Sequence, residues 1–251
     1  MSSFEDRFSS QADAYARYRP QYPAALYEWI ALIAPGHDQA WDCGTGSGQA
    51  AMGLTRRFRS IIATDPSAQQ IANAPAHPQI EYRVAPAEES GLADQSVDAI
   101  TVAVALHWFD LDRFYAEVKR VLKPGGVIAA WGYTRPRIAP EIDRVLAHYD
   151  TVLLQDYWSP RLQLLRDQYR TIAFPCDEIT APEFTAETRW TPAELVGHLS
   201  SWSGTQAYRD AHGADPIDLI RAELEQAWGD AEQRLVRWPL FVRASRCQFQ
   251  L

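Results

Sequence analysis

Several functional classes leave no mark on this chain. Cysteine is scarce: Cys43, Cys176 and Cys247 stand far apart and are odd in number, so neither a disulfide framework nor a zinc site is implied and buried thiols are expected. Basic residues are outnumbered by acidic ones. The net charge of −8 and a sequence pI near 5.3 argue against nucleic acid as a partner, because phosphate binding needs a clustered basic footprint. No uninterrupted apolar run reaches the roughly 20 residues that cross a bilayer, and the opening Met1-Ser2-Ser3-Phe4-Glu5-Asp6 has no signal-peptide core. The expectation is a cytoplasmic protein with no membrane partner, a monomer or homodimer. There is no G-x-S-x-G elbow and no C-x-x-C. His198, His212 and Asp215 lack a ligand spacing, so no metal is expected.

What is present is a chain of 251 residues, 47% hydrophobic and 22% charged, enough to bury a substantial core in one domain. Asp38 to Gly48 organises it. Ala40 to Cys43 read as the end of a buried strand, and Gly44, Gly46 and Gly48 allow a sharp turn with a ligand close to bare backbone. Ala50, Ala51, Leu54 and Phe58 follow at helical spacing, so a helix N-terminus faces that ligand. Asp65 closes the next apolar run, Ile61 to Thr64, where an acid accepts hydrogen bonds from ribose hydroxyls.

Strand, glycine turn, helix, strand and acid define a nucleotide-type binding loop. Gly46-x-Gly48-x-x-Ala51 satisfies the loose dinucleotide pattern. Against that stand Asp42 at the strand end, suited to a cationic amino group, and Gln49 where a pattern counted from Gly44 needs its last glycine. Asp42 followed by G-x-G-x-G resembles the first motif of the class I S-adenosylmethionine-dependent methyltransferases. A nicotinamide-dependent oxidoreductase and a non-catalytic S-adenosylmethionine-binding protein are the alternatives.

Further segments resemble the trans-aconitate methyltransferase-like (methyltransferase type 11) branch of that superfamily. Tyr15, Tyr18, Arg19, Pro20, Tyr22 and Pro23 are similar to its N-terminal arm, and Ala105-Leu106-His107-Trp108-Phe109-Asp110 to its fourth-strand end. The resemblance implies that Tyr15 and Arg19 cover the cofactor. It places Ala87 and Glu88 beside the adenine, although Pro86 stands where the branch carries an acid or amide. The helix, Lys123-Pro124-Gly125-Gly126 turn and following strand look like the superfamily's passage from fourth to fifth strand.

The implied fold is α/β: a Rossmann-like, doubly wound, seven-stranded, mostly parallel sheet with a helical cap, all one domain over residues 1–251. Residues 1–35 form a lid arm and helix, 36–134 the cofactor core, and 135–230 the cap with a sheet strand near 179–190. Residues 231–251 hold the last strand. Val97 to Ala105 is nearly continuous and apolar, as a central parallel strand is, and it carries Ala103, His107 and Trp108 to the ligand edge of the sheet.

The expected cofactor is S-adenosyl-L-methionine, bound by Tyr15, Arg19, Asp42, Gly44, Thr45, Gly46, Gly48, Asp65, Ala87, Glu88, Ala103, His107 and Trp108. A methyl group on a sulfonium is already activated, so positioning and exclusion of water dominate. The substrate is expected to be a small molecule, with a carboxylate of an organic acid as a candidate acceptor. Arg19, Arg135 and Trp131 are the expected substrate contacts. A carboxylate needs no base; a phenol or amine acceptor promotes His107 as catalytic base, and His107 serves otherwise as a wall.

Overall fold

A computed structural model describes residues 18–248. Its centre is a run of parallel strands: β1 (Gln39–Cys43), β2 (Ser60–Asp65), β3 (Ile80–Val84), β4 (Val97–Ala103) and β5 (Leu122–Gly132). Their order is β3-β2-β1-β4-β5, continued by β8 (Arg234–Arg246) and β6 (Asp177–Ile179), both antiparallel to their neighbours. Strand β7 (Phe184–Trp190) pairs with the first half of β8. The strand expected near 179–190 is therefore two, separated around Pro182, whose missing N–H cannot join a ladder. This gives eight strands in place of seven.

Because β1, β4 and β5 are covered on both faces, their residues alternate between two cores instead of between core and water. Ala40, Ala99, Val127, Ala129 and Trp131 face one core, with α1 (Ala24–Ile33) and α2 (Gln49–Leu54). Trp41, Ile100, Val102, Ile128 and Ala130 face the other, with α4 (Leu111–Val121); α3 (Ala68–Ala72) connects β2 to β3. Lys123 to Gly126 lie within β5 as an irregularity, since Val97 pairs with Leu122 and Ala99 with Val127.

The cap follows β5. Helix α5 (Pro140–His148) runs into one turn of π-helix, Tyr149–Leu153, and α6 (Leu162–Arg166) comes next. After β7, Thr191 and Glu194 close a capping box on α7 (Pro192–Ser200), worth about 1 kcal/mol. The cap ends with α8 (Ser203–His212), a 3-10 turn over Pro216–Leu219 and α9 (Arg221–Trp228).

Two of the three cysteines depart from the expectation of buried thiols. Cys176 and Cys247 are disulfide-bonded with Cα atoms 5.1 Å apart, because the β6–β8 ladder, in which Asp177 pairs with Arg246, brings their neighbours side by side. Cys43 is buried and free. No described helix is long and apolar enough to cross a membrane.

Candidate active site

A cavity of about 650 Å³ opens at the carboxyl ends of β1, β2, β4 and β5, between the sheet edge and the cap. Ligands of open α/β sheets bind at that edge. One end is built by the glycine turn. Gly44 has φ +67°, and a Cβ there would stand 2.7 Å from the Cβ of Ala105, so no side chain fits. Gly46 differs: the nearest atom to its hypothetical Cβ is Gln70 Oε1 at 3.9 Å, which leaves bare backbone facing the cavity.

Asp65 fixes the far side of this turn. Its Oδ2 accepts the Gly46 N–H and its Oδ1 the Ser67 N–H, both at 2.9 Å. Gln70, held on α3 with its backbone capped by Ser67, is 4% exposed, and its Oε1 has no hydrogen-bond partner among the described residues. A buried acceptor left unpaired is costly, so this end is chemically incomplete without a donor. Trp108, Phe109 and Ala103 add apolar wall. Between them, Val104 holds φ +54°, a conformation that branched residues rarely adopt and that concentrates at functional sites.

Asp42 does not line the cavity. It is fully buried beneath the turn, accepting the hydroxyls of Thr45 at 2.5 Å and Thr101 at 2.7 Å. Burial pushes its carboxyl up to about 6 against the pull of those hydroxyls. The expected contact with a cationic amino group is therefore corrected: Asp42 braces Thr45, which does line the cavity.

Four other expected contacts are also displaced. Gly48, with φ +84°, caps α2 under Tyr82. Ala87 is buried in the core, and Glu88 accepts the Asp110 N–H at 2.8 Å, so that it ties the loop to the start of α4. Trp131 is fully buried because the pleat of β5 turns it toward α1, where Tyr22 and Tyr27 meet it edge-on. None of these lines the cavity. Tyr15 lies outside the described residues.

The other end of the cavity is cationic and aromatic. Arg19, Arg135, Arg161 and Arg166 reach it, with Asp150 as the carboxylate among them. Asp150, presented by the π-turn after α5, accepts from Arg135 at 2.8 Å and Arg166 at 2.5 Å. Arg166 lies 5.0 Å over the Trp158 ring, a cation–π contact that holds it flat. Arg19 donates to the Tyr133 hydroxyl at 3.0 Å.

Two buried histidines complete the wall. His198 Nδ1 meets the Tyr18 carbonyl at 2.8 Å, and its Nε2 accepts from Trp202 at 3.2 Å, which fixes its tautomer. His107 stands on a 3-10 turn after β4 with its Nδ1 2.9 Å from the Tyr169 hydroxyl. Burial pushes both imidazoles down to about 3, helped by the charge of Arg161 at His107 and of Arg19 at His198. Both are neutral at physiological pH.

Sequence reasoning missed Gln70, Asp150, Arg161 and Arg166. Only Asp150 carried a signal, as a charge among Ile142, Val145, Leu146 and Tyr149, which are buried with it. Among the described residues no group of three or more His, Cys, Asp or Glu side chains is placed to hold a metal ion.

An open, mostly parallel sheet with a glycine turn after its first strand, an acid after its second and a capped cavity above defines a Rossmann-like enzyme for a nucleoside-bearing cofactor. The comparisons narrow that class. The methyltransferase-domain family profile matches residues 41–130. A Dictyostelium discoideum protein that carries a methyltransferase name is 34% identical over 98% of this chain and 96% of its own. A Saccharomyces cerevisiae protein named for S-adenosylmethionine-dependent methyl transfer is 28% identical over 63% of this chain and 56% of its own. A solved Anaeromyxobacter dehalogenans structure, described as a type II methyltransferase, superposes with a TM-score of 0.87 at 44% identity, covering 92% of this chain and 99% of that one. The chain belongs to the class I S-adenosylmethionine-dependent methyltransferases, and its cofactor is S-adenosyl-L-methionine.

Proposed function

We propose that this methyltransferase acts on a small organic acid and methylates a carboxylate oxygen, in keeping with its resemblance to the trans-aconitate methyltransferase-like branch. The observation that carries the reading is the charge of the acceptor end: four arginines and one aspartate in a protein whose net charge is −8. A cationic pocket in an acidic protein concentrates field on an anionic ligand. Guanidinium groups have five N–H donors each in a fork that matches a carboxylate, and bonding to Asp150 engages only part of that set.

The glycine end fits the cofactor. Gly44, Thr45 and Gly46 approach it through backbone, Asp65 takes its ribose hydroxyls, Gln70 Oε1 accepts one of its donors, and Ala103 and Trp108 wall it. When bound, S-adenosylmethionine supplies a methyl group activated by its sulfonium charge. The residues of the chain then align the acceptor oxygen and exclude water, contributions that reach several kcal/mol when geometry is fixed. Arg135 and Arg166 hold the acid against Trp158, while Tyr22, Tyr133 and Trp202 close the sides. An ionised carboxylate already carries its nucleophilic lone pair, and that suits a site whose two histidines are weak proton acceptors.

Methyl transfer from labelled S-adenosylmethionine to a panel of small carboxylic acids, phenols and amines tests this reading. Turnover confined to carboxylic acids supports it. Turnover of phenols or amines with none of acids overturns it.

A further inference from the structure

We propose that Tyr169 is a positioning residue that holds His107 in the tautomer protonated on Nε2, so that His107 offers the cavity a hydrogen-bond donor and not a base. The proposal rests on membership of the methyltransferases and is independent of which acceptor is used.

Tyr169 does not line the cavity. It reaches His107 from behind, fully buried, with its hydroxyl 2.9 Å from Nδ1 and its ring stacked on the imidazole at 29°. The backbone that delivers it is strained: Gln168 and Tyr169 both have φ +57°, where bulky residues rarely sit. Such a conformation persists only where surrounding structure over-determines it. Here Arg243 Nη1, from β8, donates to the carbonyls of Tyr169 and Ile172, and its guanidinium lies 4.7 Å over Phe174. The Tyr169 N–H bonds Leu164 O at 2.9 Å, and Phe241 meets the phenol ring edge-on at 5.2 Å. The Cys176–Cys247 disulfide closes the same segment onto β8.

The direction of the Tyr169–His107 bond follows from what else the phenol oxygen meets. Among the described residues it has no hydrogen-bond partner but Nδ1, a buried hydroxyl left without an acceptor is costly, and burial drives its proton affinity far upward. Its one proton therefore stays on the phenol and points at Nδ1. A neutral imidazole whose Nδ1 accepts carries its own proton on Nε2. Nε2 has no partner among the described residues, while His107 lines the cavity. A base would need that nitrogen bare. A donor there orients an oxygen of the acceptor, and burial beside Arg161 keeps the ring from charging.

Correlation spectra of protein labelled with ¹⁵N at histidine, alone and with S-adenosylhomocysteine, read the tautomer without any acceptor. The expected spectrum has the His107 proton on Nε2 and a bare Nδ1, unchanged from about pH 5 to about pH 9. In Tyr169→Phe, which keeps the ring and loses the hydroxyl, a mixture of the two tautomers is expected. A proton on Nδ1 in the wild-type protein, or an unaltered tautomer in Tyr169→Phe, overturns the proposal. Activity gives a second reading on whichever acceptor the panel yields. His107→Gln, which keeps an N–H donor of similar reach, is expected within about tenfold of wild type, and His107→Ala is expected to lose about 100-fold. A glutamine variant as inactive as the alanine variant overturns the donor role.

Discussion

Thr45 donates its hydroxyl to Asp42 across 2.5 Å, and this bond anchors the glycine turn to β1 from below. Thr101, on β4, donates to the other oxygen of the same carboxylate at 2.7 Å. One buried acid thus joins two central strands to the loop that lines the cavity. Its charge matters to the fold as well as to the loop.

The pH dependence follows from the direction of that shift. Asp42 has its carboxyl raised from 3.8 to about 6 by burial, so folding favours the protonated form. The stabilisation is fully present below the unfolded value of 3.8 and is lost as pH rises through about 6, a change on the order of 2–3 kcal/mol. Buried His107 and His198, lowered to about 3, work in the opposite sense, since their contribution is present above 6.5 and falls as pH drops. The difference in urea-unfolding free energy between wild type and Asp42→Asn isolates the first effect. It is expected to favour the asparagine variant increasingly from pH 4 to pH 6, and a difference independent of pH would show Asp42 to be unshifted.

Asp65 holds the Gly46 and Ser67 amides at 2.9 Å and lines the cavity. Asp65→Ala removes charge-assisted hydrogen bonds worth roughly 1.5–3 kcal/mol each. Calorimetric affinity for S-adenosylhomocysteine is expected to fall at least tenfold. Unchanged affinity would remove Asp65 from the ribose site.

Asp150 binds one guanidinium on each oxygen and is 8% exposed. Removing one member of a buried ion cluster strands the others, so Asp150→Ala is expected to cost about 3 kcal/mol in urea unfolding. Arg166→Gln should instead raise KM for an acid acceptor about tenfold and leave S-adenosylhomocysteine affinity within about twofold. Equal losses in both binding measurements would place Arg166 at the cofactor.

The Cys176–Cys247 disulfide spans a sequence separation of 71 residues. A covalent closure of that length restricts the unfolded chain, and its loss typically costs roughly 2–4 kcal/mol. Reduction by a dithiol, or Cys176→Ser, is expected to lower the urea midpoint accordingly. Coincident unfolding curves with and without reductant would mean that the bond adds no stability.

The sheet half of the protein was legible because its signals are local. The buried run read over Ala40 to Cys43 lies in β1 and that over Ile61 to Thr64 in β2, and the glycine turn, Asp65 and the His107–Trp108 end fall at one sheet edge. Burial direction was not legible in the same way. Trp131 ends a strand covered on both faces, where hydrophobicity does not alternate, so the sequence does not tell which core it enters. Asp42 is visible as an acid, but Thr101, 59 residues away, is not visible as its partner. The acceptor end failed for a third reason: a single π-turn after α5 re-aims Asp150, and such a turn breaks the helical period without a sequence marker. Cys176 and Cys247 meet only through the pairing of β6 with β8.

The central claim is that the arginine-rich end presents a carboxylate to the methyl donor. Methyl esters are cleaved by alkali to release methanol, whereas methyl ethers and methylamines are not. After incubation with S-adenosylmethionine labelled in its methyl group and the acceptor that turns over fastest, alkaline treatment should release the label as volatile methanol. Label that stays with the product through alkali would contradict the claim and move the reaction to a hydroxyl, nitrogen or carbon acceptor.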